Sequence, residues 1–144
     1  MPTENYSFLH AADLHIDSPL RGLERYEEAP VDEIRGATRR AFEHLVEKAI
    51  ELEVAFVILA GDIFDGDWKD HSTGLWFAQR LRELSTAGIA VYLAAGNHDA
   101  EGKTAAALVY PGGVHRFGKS KPETFRDPAT GAAIHGQSFA KAAT

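Results

Sequence analysis

The stretch VAFVILAGDIFD, residues Val54 to Asp65, decides the fold of this chain. Its first seven residues, Val54 to Ala60, form a short apolar run with β-branched residues, a pattern typical of a strand buried on both faces. Gly61 and Asp62 follow the run at once. Strands buried on both faces belong to parallel sheets that helices cover, so the stretch predicts an α/β fold.

Helical and strand patterns alternate on either side of this run. Tyr6–Ala12 and Ile89–Ala95 are predicted as strands, and Thr38–Glu53 and Ser72–Ala87 as helices whose apolar residues recur three and four apart. The order predicts a parallel βαβαβ core. The helical stripes comprise Phe42, Leu45, Val46, Ala49 and Ile50, then Trp76, Leu81 and Leu84. Two more strands are predicted at Val114–Phe117 and Ala132–His135.

The composition is that of one globular domain of 144 residues. The absence of cysteine excludes disulfides and thiolate zinc sites, and it favours a cytoplasmic location. The formal net charge of −6 argues against polyanion binding over the whole surface, but metal ions can supply positive charge to a phosphate site. The sequence has no apolar run of about 18 residues and no signal-peptide pattern, so we expect no contact with a membrane.

Polar side chains follow each of the first three predicted strands. In chain order they are Asp13 and His15, then Asp62 and Asp65, then Asn97, His98 and Asp99. The carboxyl ends of parallel strands lie at one edge of a sheet, where ligand sites form. Each set alone also fits a turn with capping side chains, and Asp65 suits such a cap. Three sets in series favour one shared site.

The donor types in these sets indicate a binuclear metal centre. Asp13 and His15 suit one ion, Asp62 has two oxygens with which to bridge two ions, and Asn97 can give its amide oxygen to the second. Oxygen and imidazole donors without sulfur favour manganese, with iron or zinc as alternatives. Two divalent ions can clamp a phosphoryl oxygen and activate water at neutral pH.

His98 and Asp99 are the candidate catalytic residues. The His98 imidazole is expected near the reacting phosphorus, where it can stabilise charge or protonate the leaving group. Asp99 stands beside it in the sequence and can orient the ring.

Three motifs resemble the first signature motifs of the calcineurin-like metallophosphoesterase superfamily: DLH at 13–15, GDIFD at 61–65 and GNHD at 96–99. The segments at 10–23 and 133–139 are similar to the DNA-repair exonuclease branch, the SbcD-type nuclease subunits and their YhaO-like relatives. The resemblance implies an α-β-β-α sandwich, of which residues 1–144 are the N-terminal part. It also implies metal-dependent phosphodiester hydrolysis, DNA as substrate and an ATPase partner subunit. The family roles repeat the ligand and catalytic assignments given above.

The resemblance also implies ligands that these residues lack, namely a further histidine and a Gly-His-x-His motif. Only His115 and His135 follow Asp99, and both fit structural positions better than ligand positions. We therefore expect weakened metal binding, an uncovered apolar sheet face and self-association into a homo-oligomer. The alternatives are a metallophosphatase or phosphodiesterase acting on small phosphate esters, and an inactive scaffold fragment.

Aromatic and basic residues near the helices fit either a structural role or contact with a nucleic acid. Trp76 and Phe77 are predicted as core, whereas Trp68, in the loop after GDIFD, is a candidate for substrate contact. The arginines at 35, 39 and 40 are able to meet a DNA backbone, but acidic neighbours favour a solvated helix start.

Overall fold

The computed structural model describes residues 5–18, 31–64, 72–96 and 109–140. The elements in these ranges are β1 (Phe8–Ala12), α1 (Val31–Glu51), β2 (Phe56–Ala60), α2 (Ser72–Thr86), β3 (Ala90–Ala94), β4 (Val114–Arg116), β5 (Glu123–Arg126) and β6 (Ala133–Gly136). A helix separates β1 from β2 and another separates β2 from β3, which confirms the predicted βαβαβ core.

The first four strands form one parallel sheet in the order β1-β2-β3-β4. Ala12 on β1, Ala60 on β2 and Ala94 on β3 lie in register at the carboxyl edge of this sheet. The residues that follow these three alanines therefore leave the sheet side by side. The α/β class predicted from the sequence is confirmed.

Both helices pack on one face of the parallel sheet. Phe42 on α1 and Phe77 on α2 are fully buried there, with ring centroids 5.2 Å apart. Val57 on β2 and Val91 on β3 are also fully buried and belong to the same cluster. This core holds the helices, and hence the loops that join them to the strands, in place.

The hairpin of β5 and β6 packs on the other face of the sheet. Its strands pair antiparallel, and Phe125 and Ile134 join Phe56 and Phe117 in a second apolar cluster. The buried Tyr92 hydroxyl donates to Asp127 Oδ1 over 2.8 Å. Helices, parallel sheet and hairpin are three successive layers of the expected sandwich.

Among the described residues, the hairpin does not cover the β1 end of this second face. Phe8 stacks on Phe56 with ring centroids 5.0 Å apart, yet Phe8 remains 48% exposed and Tyr6 45% exposed. This observation agrees with the expectation of a partly uncovered apolar sheet face. Among the described residues, no helix is long and apolar enough to cross a membrane.

Three details of the predicted elements were wrong. Helix α1 begins at Val31, seven residues before the predicted Thr38, and Ile50 is 40% exposed because it lies at the outer edge of the stripe. Strand β5 was missed because Phe125 is the only apolar residue among its four. The other predicted ends differ from the structure by no more than two residues.

Candidate metal centre

The carboxyl ends of β1 and β2 run on in parallel and carry the candidate ligands. The Asp13 amide donates to the Gly61 carbonyl over 3.1 Å, and the His15 amide donates to the Asp62 carbonyl over 3.0 Å. These bonds extend the strand pairing by several residues, so the two loops keep a fixed separation. The sequence prediction that these strand ends converge is therefore confirmed for β1 and β2.

Every candidate ligand on these two loops has a left-handed backbone. The φ angles are 54° at Asp13, 45° at His15 and 47° at Asp62. Aspartate and histidine are among the residues that tolerate this conformation, although each such residue costs about 1–3 kcal/mol. Strained backbone of this kind is common at functional sites, where surrounding contacts maintain it.

Asp13, His15 and Asp62 each place one ligand atom within 4.8 Å of the other two. Asp13 is exposed, whereas His15 and Asp62 are half-buried, so the group is open to solvent on one side. Three ligands of one ion lie about 3.0–3.6 Å from one another, given metal–ligand bonds of about 2.1 Å. Side-chain movements of up to about 1 Å would therefore let the group close on one ion. Two carboxylates and an imidazole also suit a divalent metal chemically.

Gly96, at the end of β3, lies against Asp62. A Cβ atom at position 96 would lie 2.3 Å from both the backbone nitrogen and Oδ1 of Asp62. Only glycine allows the third strand end to approach the candidate ligand so closely. Asn97, His98 and Asp99 follow directly in the sequence, but these predicted site residues lie outside the described part of the chain, as do Asp65 and Trp68.

The segment after β6 fixes the end of β3. Ser138 Oγ donates to the Phe117 carbonyl over 2.6 Å and accepts from the Ala95 amide over 2.9 Å. The Phe139 amide donates to the Ala95 carbonyl over 3.0 Å. The resemblance of residues 133–139 gave Ser138 no role, whereas in the structure Ser138 holds Ala95, the residue before Gly96.

A partly buried polar cluster lies behind the His15 loop. The Asp17 carboxylate accepts from the Arg39 guanidinium and, over 2.7 Å, from the Thr73 hydroxyl. The expectation that Arg39 is solvated at a helix start was therefore wrong. Sequence reasoning missed Asp17, although the alternation of polar residues at 13, 15 and 17 was a signal for it.

The remaining predicted residues lie away from this group. His115 packs against the rings of Tyr92 and Phe125, at centroid distances of 5.1 and 5.2 Å. His135 is exposed, with its Nδ1 atom 2.7 Å from the Thr124 hydroxyl. Within the described ranges, Asp13, His15 and Asp62 form the one group of three such ligands. Phe77 and Trp76 belong to the core, as predicted.

Comparison with known proteins bears out the family resemblance. The family model for the calcineurin-like phosphoesterase matches residues 6–141. An uncharacterized metallophosphoesterase, YhaO of Bacillus subtilis, is 34% identical over 136 residues, which cover 92% of this chain and 33% of the relative.

Two similar proteins carry the name DNA double-strand break repair protein Mre11. That of Methanopyrus kandleri is 32% identical over 62% of this chain and 18% of its own length. That of Methanococcus maripaludis is 28% identical over 83% of this chain and 32% of its own length. The chain thus spans a third or less of the length of these relatives. Because the family model matches nearly all of its residues, the chain belongs to the calcineurin-like phosphoesterase family.

Proposed function

We propose that this chain contributes the first half of a metal-dependent centre that hydrolyses phosphodiester bonds in DNA. The observation that carries the proposal is the group of Asp13, His15 and Asp62, whose ligand atoms lie within 4.8 Å of one another at the carboxyl edge of a parallel sheet. Membership of a phosphoesterase family gives that group a reaction class.

The proposed ligand roles follow from the donor atoms. Asp13 and His15 would hold one ion, Asp62 would be a ligand of both ions, and Asn97 would supply an amide oxygen to the second. Manganese is the proposed metal, with iron or zinc as alternatives, because the donors are oxygen and imidazole. Such ions supply Lewis-acid activation of the phosphate ester and of the attacking water.

His98 and Asp99 are proposed to complete the chemistry. The His98 imidazole donates a proton to the departing oxygen, and the Asp99 carboxylate orients the ring for that transfer. The close approach of Gly96 to Asp62 supports this proposal, since Gly96 is the residue directly before Asn97 in the sequence.

The choice of DNA rests on the relatives. Two of them are named as double-strand break repair proteins, and DNA carries the phosphodiester bond that a binuclear centre can cleave. More specifically, we propose that the protein acts as an exonuclease in DNA repair. The net charge of −6 means that metal ions and local contacts must attract the substrate.

Residues 1–144 are proposed to be the N-terminal part of one phosphoesterase domain, because the matching family model runs through both sheets. An ATPase partner subunit, homo-oligomerisation and a cytoplasmic location remain predictions from the sequence.

The proposal is tested by hydrolysis assays with Mn²⁺ on three substrates: end-labelled single-stranded DNA, end-labelled duplex DNA and p-nitrophenyl phosphate. The variants are Asp62→Asn, which removes the shared carboxylate, and Glu47→Gln, which changes an exposed carboxylate on α1. Because residues 1–144 carry only the first ligands of the centre, we expect slow DNA cleavage by the unsubstituted protein and by Glu47→Gln, and its loss in Asp62→Asn.

Two results would overturn the proposal. Turnover of the monoester without cleavage of DNA would indicate a small-ester phosphatase. No turnover of any substrate, with the fold intact by circular dichroism, would indicate a scaffold role for this chain.

A further inference from the structure

A residue outside the ligand group anchors the loop that carries His15. We propose that Asp17 is a positioning residue for His15, acting through the side chains of Arg39 on α1 and Thr73 on α2. This inference rests on the proposed function, because it concerns how the chain prepares one metal ligand before an ion arrives.

Asp17 connects the loop after β1 to both helices. Arg39 Nε donates to the two carboxylate oxygens of Asp17 over 2.9 and 3.0 Å, and Arg39 Nη2 contacts the second of them. The Thr73 hydroxyl donates to the same oxygen over 2.7 Å, and the Asp17 amide donates to the Thr38 hydroxyl over 3.2 Å. Three side chains on two helices thus hold Asp17.

Arg39 is itself held in place. Its guanidinium lies 5.1 Å from the centre of the Trp76 ring, and the indole of Trp76 donates to Glu43 Oε1 over 3.3 Å. The side chains of Arg39 and Asp17 are 33% and 24% exposed, so the pair is partly shielded from water. A shielded, forked pair is stronger and more directional than an exposed one.

The loop transmits this anchoring to His15. Ile16, between His15 and Asp17, is 1% exposed, and its amide donates to the Ile63 carbonyl over 2.8 Å. On the other side of His15, the Asp13 amide is bonded to the Gly61 carbonyl. Hydrogen-bonded residues therefore hold the chain on both sides of His15. The left-handed backbone of His15, with φ 45°, is strained, and these neighbouring contacts maintain it.

The hydrogen bonds of Asp17 fix the conformation of the loop after β1 and do not stabilise the apolar core. Asp17 too has a left-handed backbone, with φ 55°, and its bonds hold that strained conformation rather than bury apolar surface. Supporting residues of metal ligands typically change metal affinity by about 10–100-fold when they are removed. We expect a loss in that range when the Asp17 contacts are weakened.

The test compares Asp17→Asn and Arg39→Lys with the unsubstituted protein. Asp17→Asn keeps the side-chain shape but removes the charge, and Arg39→Lys keeps the charge but removes the fork. Lys48→Gln is the control, because it breaks an exposed ion pair with Glu51 on the same helix α1. The measurements are the Mn²⁺ dissociation constant by calorimetry, the ¹⁴N imidazole coupling in the Mn²⁺ spin-echo spectrum, and the melting temperature.

Both Asp17→Asn and Arg39→Lys should weaken Mn²⁺ binding by about tenfold or more and reduce the imidazole coupling, while Lys48→Gln changes neither. In the metal-free protein, the same two variants should broaden the His15 ring resonances in NMR spectra. Unchanged affinity, coupling and ring resonances, with only a lower melting temperature, would overturn the positioning role.

The proposed function fails by a different result. If the unsubstituted protein and Asp62→Asn give the same Mn²⁺ signal, or if neither gives one, the metal centre is refuted. The metal-free NMR measurement still decides whether Asp17 fixes His15.

Discussion

The close approach of Gly96 to Asp62 gives the sharpest prediction about the site. Gly96→Ala puts a Cβ atom 2.3 Å from Asp62 Oδ1 and from the Asp62 backbone nitrogen, where ordinary contact begins at 3.4 Å. One strand end must therefore move by about 1 Å. Overpacking of this kind costs about 1–3 kcal/mol of folding free energy. Displacing Asp62 should also weaken Mn²⁺ binding by at least about tenfold.

Two control variants separate stability from metal binding. Gly136→Ala places a Cβ atom 2.8 Å from the Phe117 ring, in the second apolar cluster, and should lower stability alone. Gly112→Ala meets nothing within 4 Å and should change neither property. Urea unfolding gives the stabilities, and calorimetry gives the dissociation constants for Mn²⁺. Equal Mn²⁺ affinity in Gly96→Ala and Gly136→Ala would refute the reasoning.

Three further predictions concern the core and the open sheet face. Burial and the hydrogen bond to Asp127 raise the pKa of Tyr92, so the folded state loses stability as the pH rises above the unfolded value of about 10. Tyr92→Phe should remove that alkaline loss in unfolding titrations, and it should cost about 1–3 kcal/mol at neutral pH because buried Asp127 loses a donor. Phe77→Ala should cost about 3–5 kcal/mol in urea unfolding, since the ring is fully buried; a cost below 1 kcal/mol would contradict the packing described. Replacing exposed Tyr6 and Phe8 by serine should reduce self-association in sedimentation velocity, and an unchanged profile would show that this face does not mediate it.

The central elements of the fold could be predicted because their patterns are local. The apolar runs at 54–60 and 89–95 have the length and the β-branched content of buried strands, and β2 and β3 lie within them. The stripe on the first helix gave Phe42 and Val46, which are buried. These features depend on sequence spacing alone.

The spacing of apolar residues along the sequence did not predict the start of α1 or the strand β5. The helix begins at Val31, directly after Pro30 and before two acidic residues, a start signal that outweighs the weak apolar pattern of that segment. Strand β5 is short and alternates half-buried with exposed residues, so its pairing with β6 defines it more than its composition does.

For the candidate site, the order of residues along the chain predicted the ligand group. The tertiary contacts that hold this group could not be predicted from the sequence. Asp13, His15 and Asp62 could be grouped because parallel strands end at one edge of a sheet. The pairing of Asp17 with Arg39, and the contact of Ser138 with Ala95, join residues 22 and 43 positions apart. Such contacts follow from tertiary packing: the alternation at 13, 15 and 17 pointed to Asp17, but no pattern in the sequence paired it with Arg39.

The most direct test of the account is Mn²⁺ calorimetry on the unsubstituted chain, on Asp62→Asn and on Glu47→Gln. We predict that a Mn²⁺ ion binds to the unsubstituted chain and to Glu47→Gln, and that Asp62→Asn abolishes this binding. Identical isotherms for the unsubstituted chain and Asp62→Asn would contradict the claim that the ends of β1 and β2 form a metal centre.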